Sequence, residues 1–201
     1  ALGFNFPDLT CAQQTHSANV EVVTCEHRGR GALDWQSAIP ETDALMTQES
    51  DTPLMILVAD CAPLLFVDEA NRVLAVVHAG WRGATSRIAS QTVLKMAQHF
   101  GTKAEDLQVG IGPTLCAACF EIGAEVVSAA TEIAPQSVLS GFEKPHLDVR
   151  ELLRADLRSV RVLDAQIETL PQCPRCATDT FFSHRGENGQ TGRFALAAWW
   201  K

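Results

Sequence analysis

The sequence predicts an α+β fold, a mixed β-sheet sandwich covered by helices. Several short apolar runs have the length of buried strands, whereas three longer segments follow the period of amphipathic helices. Strands and helices do not alternate strictly, so a parallel sheet built only from β-α-β units is disfavoured. No linker-like stretch or internal repeat interrupts the sequence, and a single domain spanning residues 1–201 is therefore expected.

The first half of the chain is predicted to supply four strands. Residues 1–12 form a loose lead-in to a strand at 19–24, which is followed by a polar excursion over 25–39. The other three strands are apolar runs at residues 54–59, 63–67 and 73–77. Turn-forming residues occupy positions 68–72, so the last two runs should form a β-hairpin.

The rest of the chain is predicted to contain both helices and strands. Residues 83–100 place apolar side chains on one stripe, and Gly101 directly after them suits a helix C-cap. Amphipathic patterns at 123–133 and 147–160 predict two further helices. Short strands are expected at residues 107–111, 165–170 and 194–200.

The composition argues against several classes of protein. A formal net charge of −8 at pH 7, with sixteen scattered lysines and arginines, disfavours nucleic acid as a partner. No apolar run approaches the roughly 18 residues of a membrane-spanning helix, and no segment reads as a secretion signal. Seven cysteines are an odd number for a secreted disulfide framework. A reducing cytoplasm with metal-binding or free thiols is therefore expected.

Cys61 and His78 are the strongest candidates for a functional site. Each follows an apolar run, and the hairpin between them should bring the two strand ends together. With His16 they would supply three zinc ligands and leave a fourth position for water or substrate. His16 is the weakest of the three, because its polar surroundings also suit an N-cap or an exposed loop. A hydrogen-bonded histidine and a small buried cysteine are the structural alternatives.

Charged residues flank Cys61 and His78, and the segment after His78 suits an anion. Asp60 precedes the cysteine, and Arg82 follows the histidine at the expected helix start near Gly83, where backbone N–H groups favour an anion. A Gly-rich loop at 181–193, bracketed by aromatic residues, reads as a second substrate-facing segment or as a solvated hairpin tip. Its basic residues are His184, Arg185 and Arg193.

Two Cys-x-x-Cys pairs, Cys116 with Cys119 and Cys173 with Cys176, offer ligands for a structural four-cysteine zinc site. The pairs lie much farther apart than the about 15–20 residues of compact zinc modules. Neither pair has a glycine-rich turn to wrap a metal, and neither opens a helix after a thioredoxin-like strand. The sequence therefore disfavours both the zinc site and redox chemistry at these pairs.

The order of several motifs resembles the YfiH proteins, also called the laccase-domain or multicopper polyphenol oxidase family and related to the mammalian protein FAMIN. The most specific motifs are Ala-Asp-Cys-Ala-Pro at 59–63 and His-Ala-Gly-Trp-Arg-Gly at 78–83. The other matching segments are residues 14–16, 42–45, 110–113, 119–123, 181–183 and 191–193. The resemblance runs from about residue 10 to the C-terminus.

This resemblance implies a cytoplasmic, zinc-dependent purine nucleoside enzyme with a fold likened to cysteine hydrolases. Its expected reactions are phosphorolysis of adenosine, inosine and methylthioadenosine, and deamination of adenosine. The family's metal ligands fall on His16, Cys61 and His78. Expected partners are a purine nucleoside and phosphate, with no nucleic acid or membrane, and the protein should be a monomer or a small homo-oligomer.

The remaining functional residues are assigned more loosely. Expected substrate contacts are Gln14, Arg82, Arg185 and Arg193, with Arg82 and either Arg185 or Arg193 serving phosphate. Either Asp60 or Glu121 would act as general base, beside Cys61 and His78 as catalytic residues. Two departures from the family pattern bear on these contacts. The usual N-terminal glycine-containing segment is absent, as if truncated, and residues 183–186 read Ser-His-Arg-Gly where Ser-Tyr-Arg-Arg is usual.

Three alternatives remain open at this point. Six histidines and no His-x-His pair exclude a conventional four-copper oxidase, although a single copper in the same three-ligand pocket would suit a polyphenol oxidase. Cys61 with a histidine base would make a cysteine hydrolase acting on amides or esters. A non-enzymatic, zinc-stabilised binding protein would need a fourth protein ligand, for which His184 is the candidate.

Overall fold

The computed structural model describes residues 3–201, so residues 1 and 2 of the predicted lead-in lie outside it. Its helices are α1 (Trp81–Thr85), α2 (Ile88–Phe100), α3 (Ala124–Thr131) and α4 (Val149–Ser159). Its strands are β1 (Thr10–Cys11), β2 (Val20–Val22), β3 (Ala44–Thr47), β4 (Leu54–Val58), β5 (Ala62–Asp68), β6 (Val73–Ala79), β7 (Leu107–Ile111), β8 (Val138–Leu139), β9 (His146–Leu147), β10 (Ile167–Thr169) and β11 (Phe194–Ala198).

The largest sheet has six strands in the order β10-β7-β5-β6-β3-β2. In its centre β5 and β6 pair antiparallel, from Ala62 opposite Ala79 to Asp68 opposite Val73, which confirms the predicted hairpin. β7 runs antiparallel to β5 but parallel to β10, and β2 runs parallel to β3. The sheet is therefore mixed, in agreement with the lack of strict β-α-β alternation in the sequence.

Side chains of β6 alternate between two hydrophobic cores. Four of them pack against the helices, namely Val73, Ala75, Val77 and Ala79. Leu74 and Val76 point the other way, onto a second sheet of order β1-β4-β11. All seven residues of β6 are buried, because layers cover both faces of the strand. This sandwich of two sheets with helices on the outer face confirms the predicted α+β fold class.

The predicted helix at 83–100 was wrong in its N-terminal part. Arg87 adopts a left-handed backbone (φ 62°), which a right-handed helix cannot contain, so the segment divides into α1 and α2. Gly101 (φ 72°) does cap α2, as predicted. At the start of α4, Asp148 accepts hydrogen bonds from the backbone N–H groups of Arg150 and Glu151.

Four short strands, β1, β3, β8 and β9, were not predicted from the sequence. β1 consists of two residues inside the predicted lead-in, and β3 contains four buried residues where no strand was expected. Such runs are too short for a clear periodicity and depend on their neighbours for pairing. Within the described part of the chain, no helix is long and apolar enough to cross a lipid bilayer.

Candidate active site

The central hairpin brings Cys61 and His78 to one edge of the large sheet. Cys61 immediately precedes β5, and His78 lies opposite Pro63 near the end of antiparallel β6. His78 continues the series of Leu74 and Val76, so it faces the three-stranded sheet. The predicted convergence of the two strand ends is therefore confirmed.

The third donor, His16, lies on the loop between β1 and β2. Its backbone is left-handed (φ 62°), and its ring meets that of His78 edge-on at a centroid distance of 4.8 Å. One donor atom from each of His16, Cys61 and His78 lies within 4.8 Å of the other two. The arrangement places three nitrogen and sulfur donors around one point, although only His78 is buried and His16 is exposed.

Asp43 organises both histidines. Its fully buried carboxylate accepts hydrogen bonds from the backbone N–H groups of Thr15 (3.1 Å), His16 (3.0 Å) and Ser17 (2.7 Å). The same carboxylate accepts a hydrogen bond from Nδ1 of His78 at 2.7 Å. This contact fixes the ring of His78 and leaves Nε2 to coordinate a metal. Asp43 directly precedes β3, and the sequence analysis gave it no role.

Glycine at position 80 is required by close approach. A Cβ atom on Gly80 would lie 2.9 Å from Cδ2 of His16 and 3.1 Å from Sγ of Cys61. These contacts are shorter than ordinary van der Waals distances, so a side chain here would displace two of the three donors. Glycine at position 80 therefore allows the side chains of His16 and Cys61 to lie directly against the backbone.

The donor cluster favours a thiolate at Cys61. Burial raises the pKa of this thiol, but hydrogen bonds with His16 and His78 outweigh burial and bring it to about 7. For His78, burial lowers the pKa, whereas the carboxylate of Asp43 and the sulfur of Cys61 raise it to about 9. Burial also raises the pKa of Asp43, but His78 and Ser17 lower it to about 2. The carboxylate of Asp43, which is ionised at neutral pH, thus holds His78 beside the readily ionised thiol of Cys61.

Two predicted site residues are engaged in structural contacts. Gln14 pairs with the backbone of Leu57, donating to its carbonyl at 2.7 Å and accepting from its N–H at 2.8 Å. Both oxygens of Asp60 hold the loop at 181–193, accepting from Oγ of Ser183 at 2.7 Å and from the backbone N–H of Arg185 at 2.6 Å. Both residues line the site while anchoring the segments around it.

A cavity of about 520 Å³ opens over the three donors. Its aromatic lining residues are Trp35, Trp81 and Phe120, and its basic ones include Arg82, His184, Arg185 and Arg193. Arg82 stacks on Trp81 and Arg185 on Phe120, with guanidinium-to-ring distances of 4.3 and 5.2 Å. Arg193 folds back to donate to the carbonyl of Gly192 at 2.8 Å. The predicted arginines are thus brought together around one cavity.

Three other predictions about the site differ from the structure in part. Glu121 is not among the described residues that line the cavity, and its carboxylate pairs with Lys144 at 2.8 Å on the surface. The helix start expected near Gly83 was misplaced, because α1 begins at Trp81 with Gly80 as its N-cap. His184 lines the cavity but does not join the three-donor group of the described residues.

A larger depression of about 590 Å³ between β2 and α2 is lined by neither cysteine nor histidine.

Comparison with known sequences places these residues in context. A family model described as multi-copper polyphenol oxidoreductase laccase matches residues 1–201. An adenosine deaminase RL5 from an unknown prokaryotic organism is 35% identical over 199 residues, covering 96% of this chain and 75% of that protein. The purine nucleoside phosphorylase YlmD of Geobacillus stearothermophilus is 34% identical over 197 residues, covering 96% of this chain and 72% of that protein.

Solved structures match the fold closely. The Bacillus licheniformis hypothetical protein YfiH superimposes with a TM-score of 0.96 at 29% identity, covering 100% of this chain and 77% of that one. YlmD from Geobacillus stearothermophilus gives a TM-score of 0.95 at 30% identity, covering 100% of this chain and 76% of that one. The resemblance inferred from the sequence motifs is therefore confirmed.

Proposed function

This chain belongs to the multi-copper polyphenol oxidoreductase laccase family, and we propose that it is a metal-dependent purine nucleoside enzyme. Relatives named as a purine nucleoside phosphorylase and an adenosine deaminase support the substrate class. The observation that carries the proposal is the convergence of His16, Cys61 and His78 beneath a cavity of about 520 Å³. That volume is within the roughly 300–1,000 Å³ of small-molecule sites.

The three donors fit zinc. Two imidazoles and one thiolate are a ligand set of catalytic zinc sites, with the open side of the centre facing the cavity. Bound zinc supplies Lewis-acid polarisation to a substrate or water in the fourth position. Copper is the alternative, because copper binds such ligands with higher intrinsic affinity. Apart from four clustered cysteines, the described residues offer no second group of donors for the additional coppers of a conventional laccase.

The chain's own residues prepare the cavity for a nucleoside. Asp43 holds His78 and the His16 loop in place, so the donors are preorganised before substrate arrives. Trp35, Trp81 and Phe120 offer flat apolar surfaces for a purine base. The arginines of the cavity supply the charge for phosphate, as phosphorolysis requires. Asp60 anchors the 181–193 loop through Ser183 and the backbone of Arg185. General-base catalysis by either Asp60 or Glu121 stays a prediction.

Replacement of His78 by Ala tests the proposal. We expect H78A to lose the zinc of this centre and to lose turnover of adenosine, while folding by circular dichroism. Adenosine with phosphate distinguishes the reactions, because phosphorolysis yields adenine and deamination yields inosine. His99→Ala, at the exposed end of α2, is the matched control and should retain both metal and turnover. Full activity of an H78A protein that has no metal at this centre would refute the proposal.

A cysteine hydrolase is the second candidate, because Cys61, His78 and Asp43 have the connectivity of a nucleophile, a base and an orienting carboxylate. Metal occupancy separates the two functions. If the centre holds zinc, iodoacetamide should label Cys61 only after chelation. Rapid labelling of Cys61 in the zinc-loaded protein would instead favour the hydrolase.

A further inference from the structure

Four cysteines outside the cavity form a second cluster. The Sγ atoms of Cys116, Cys119, Cys173 and Cys176 all lie within 4.8 Å of one another. The Sγ of Cys176 is 3.5 Å from that of Cys119 and 4.0 Å from that of Cys116. All four are free thiols. The sequence disfavours a four-cysteine site because the two pairs lie far apart and lack a glycine-rich turn, but the structure brings all four thiols together.

Strand pairing explains how distant pairs meet. β7 and β10 are neighbours in the large sheet and run parallel, with Ile111 opposite Thr169. Their carboxyl ends consequently leave the same edge of the sheet. The first Cys-x-x-Cys pair begins five residues after Ile111 and the second begins four residues after Thr169. Spacing along the chain could not reveal this, because α3 and α4 lie between the two pairs.

The two cysteine segments are also fixed to each other by hydrogen bonds. Thr114 donates its backbone N–H to the carbonyl of Gln172 at 3.3 Å. Nη2 of Arg150, at the start of α4, donates to the carbonyl of Thr114 at 3.0 Å and to that of Gln172 at 2.8 Å. Each Cys-x-x-Cys pair then folds into one 3-10 turn. The thiols are thus presented from a connected scaffold.

We propose that these four cysteines bind a structural zinc ion. Four thiolates in a tetrahedral site select zinc over harder metals, and zinc about 2.3 Å from each sulfur separates the sulfurs by about 3.8 Å. The Sγ distances of 3.5 and 4.0 Å from Cys176 to Cys119 and Cys116 bracket that separation. Both exceed the about 2.05 Å of a disulfide. The 3-10 turn of each pair directs its two thiols toward the same point, although neither pair has the glycine-rich turn that the sequence analysis required for a zinc site.

The cluster lies directly behind one wall of the cavity. Phe120 follows Cys119, and the carbonyl of Cys119 accepts hydrogen bonds from Arg175 at 3.3 Å and Arg185 at 3.5 Å. Because Phe120 and Arg185 both line the cavity, the zinc ion would hold that wall in position. This consequence for substrate rests on the proposed function, whereas the metal site itself does not.

Zinc content of the purified, reduced chain tests the proposal. We expect two zinc ions in the unmodified chain, one for each donor group, and one in Cys176→Ser, with a lower Tm. Cys61→Ser should also retain one, now in the cysteine cluster, and the double variant none. Cys25→Ser is the matched control, since this exposed cysteine belongs to neither group, and it should retain two.

The paired variants separate the two sites. If C61S holds no zinc, the cluster site is refuted; if C176S alone loses one zinc ion, the cluster site stands whether or not the cavity turns over nucleosides. If C176S fails to fold, cobalt binding by C61S is measured instead. Strong thiolate-to-cobalt absorption then supports the site. Absence of that absorption, iron in place of zinc, or a mass lower by four hydrogens from two disulfides would overturn it.

Discussion

The carboxylate of Asp43 performs two tasks at one position. It caps three successive N–H groups of the His16 loop and also accepts from the ring of His78. A metal ligand held by an outer carboxylate has a fixed ring orientation and higher basicity. The two histidines come from segments far apart in the sequence, so their mutual geometry depends on this one side chain.

Asp43→Asn should therefore weaken metal binding. An amide cannot accept all of these hydrogen bonds, because one end of it is a donor. We expect zinc affinity at the centre to fall by about 10- to 100-fold, measured by competition with a chelator. Asp51→Asn, at an exposed turn with a backbone that asparagine tolerates, is the control and should leave affinity unchanged. An unaltered affinity in D43N would show that Asp43 does not position the ligands.

Gly80→Ala should disturb the same centre from the opposite side. The added methyl group would meet His16 and Cys61 at 2.9 and 3.1 Å, whereas Gly141→Ala meets no atom within 4 Å. We expect G80A to lower zinc affinity at least about tenfold, on the scale of other perturbations next to a ligand. Calorimetric zinc titration of both variants measures this effect, and equal affinities would contradict the close approach described at Gly80.

Among the elements, β5 is decisive because it joins the core to the site. It pairs with β6 and β7, most of its apolar side chains are buried, and Cys61 immediately precedes it. The sequence predicted this element well, since an apolar run, a polar turn and a second apolar run are a local pattern. Prediction from the sequence failed for strands that depend on pairing with residues distant in the chain, such as the short strands β1 and β3.

Two wrong predictions, the continuous helix at 83–100 and the separation of the two cysteine pairs, have the same origin. The break before α2 rests on a left-handed Arg87, a conformation for which the sequence offers neither glycine nor asparagine as a signal. The convergence of the cysteine pairs rests on the parallel pairing of β7 and β10, which no local pattern encodes. At the site, the apolar runs before Cys61 and His78 located these two donors and motif resemblance located His16, whereas the role of Asp43 emerged only from its contacts.

Phe66→Ala should separate stability from metal binding. Phe66 lies in the middle of β5 and is fully buried, so its removal should lower the free energy of unfolding by about 3–5 kcal/mol. Phe6→Ala, at a half-exposed position, should change it little. Urea unfolding measures both values. Because Phe66 lies far along the strand from Cys61, the folded F66A protein should retain its zinc content; loss of zinc would show that the strand's packing controls the centre.

At the scale of the whole molecule, both donor groups join segments that are distant in sequence. One group links the β1–β2 loop to the central hairpin, and the other links the ends of β7 and β10. A ligand that binds only the folded state stabilises it in proportion to the logarithm of its concentration. Metal should therefore act on global stability and not only on chemistry.

Removal of metal should lower the Tm of the intact protein. A site at 1,000 times its Kd contributes about 4 kcal/mol, and a chain of this size shifts by roughly 2–4 °C for each kcal/mol. We expect a decrease of about 8–16 °C for each of the two sites that chelation empties under reducing conditions, reversed by added zinc, in scanning calorimetry. The C61S/C176S double variant is the control, and its Tm should not respond to zinc. An equal Tm with and without metal in the intact protein would contradict a structural role.

Asp60 has a consequence for how the site communicates. It is adjacent to Cys61 in the chain, and its carboxylate accepts hydrogen bonds from Ser183 and from the backbone of Arg185. A substrate that shifts Arg185 would therefore act on the residue next to Cys61, one of the three proposed metal ligands. Thermodynamic linkage makes such coupling reciprocal, so that any factor by which substrate tightens metal binding is the factor by which metal tightens substrate binding.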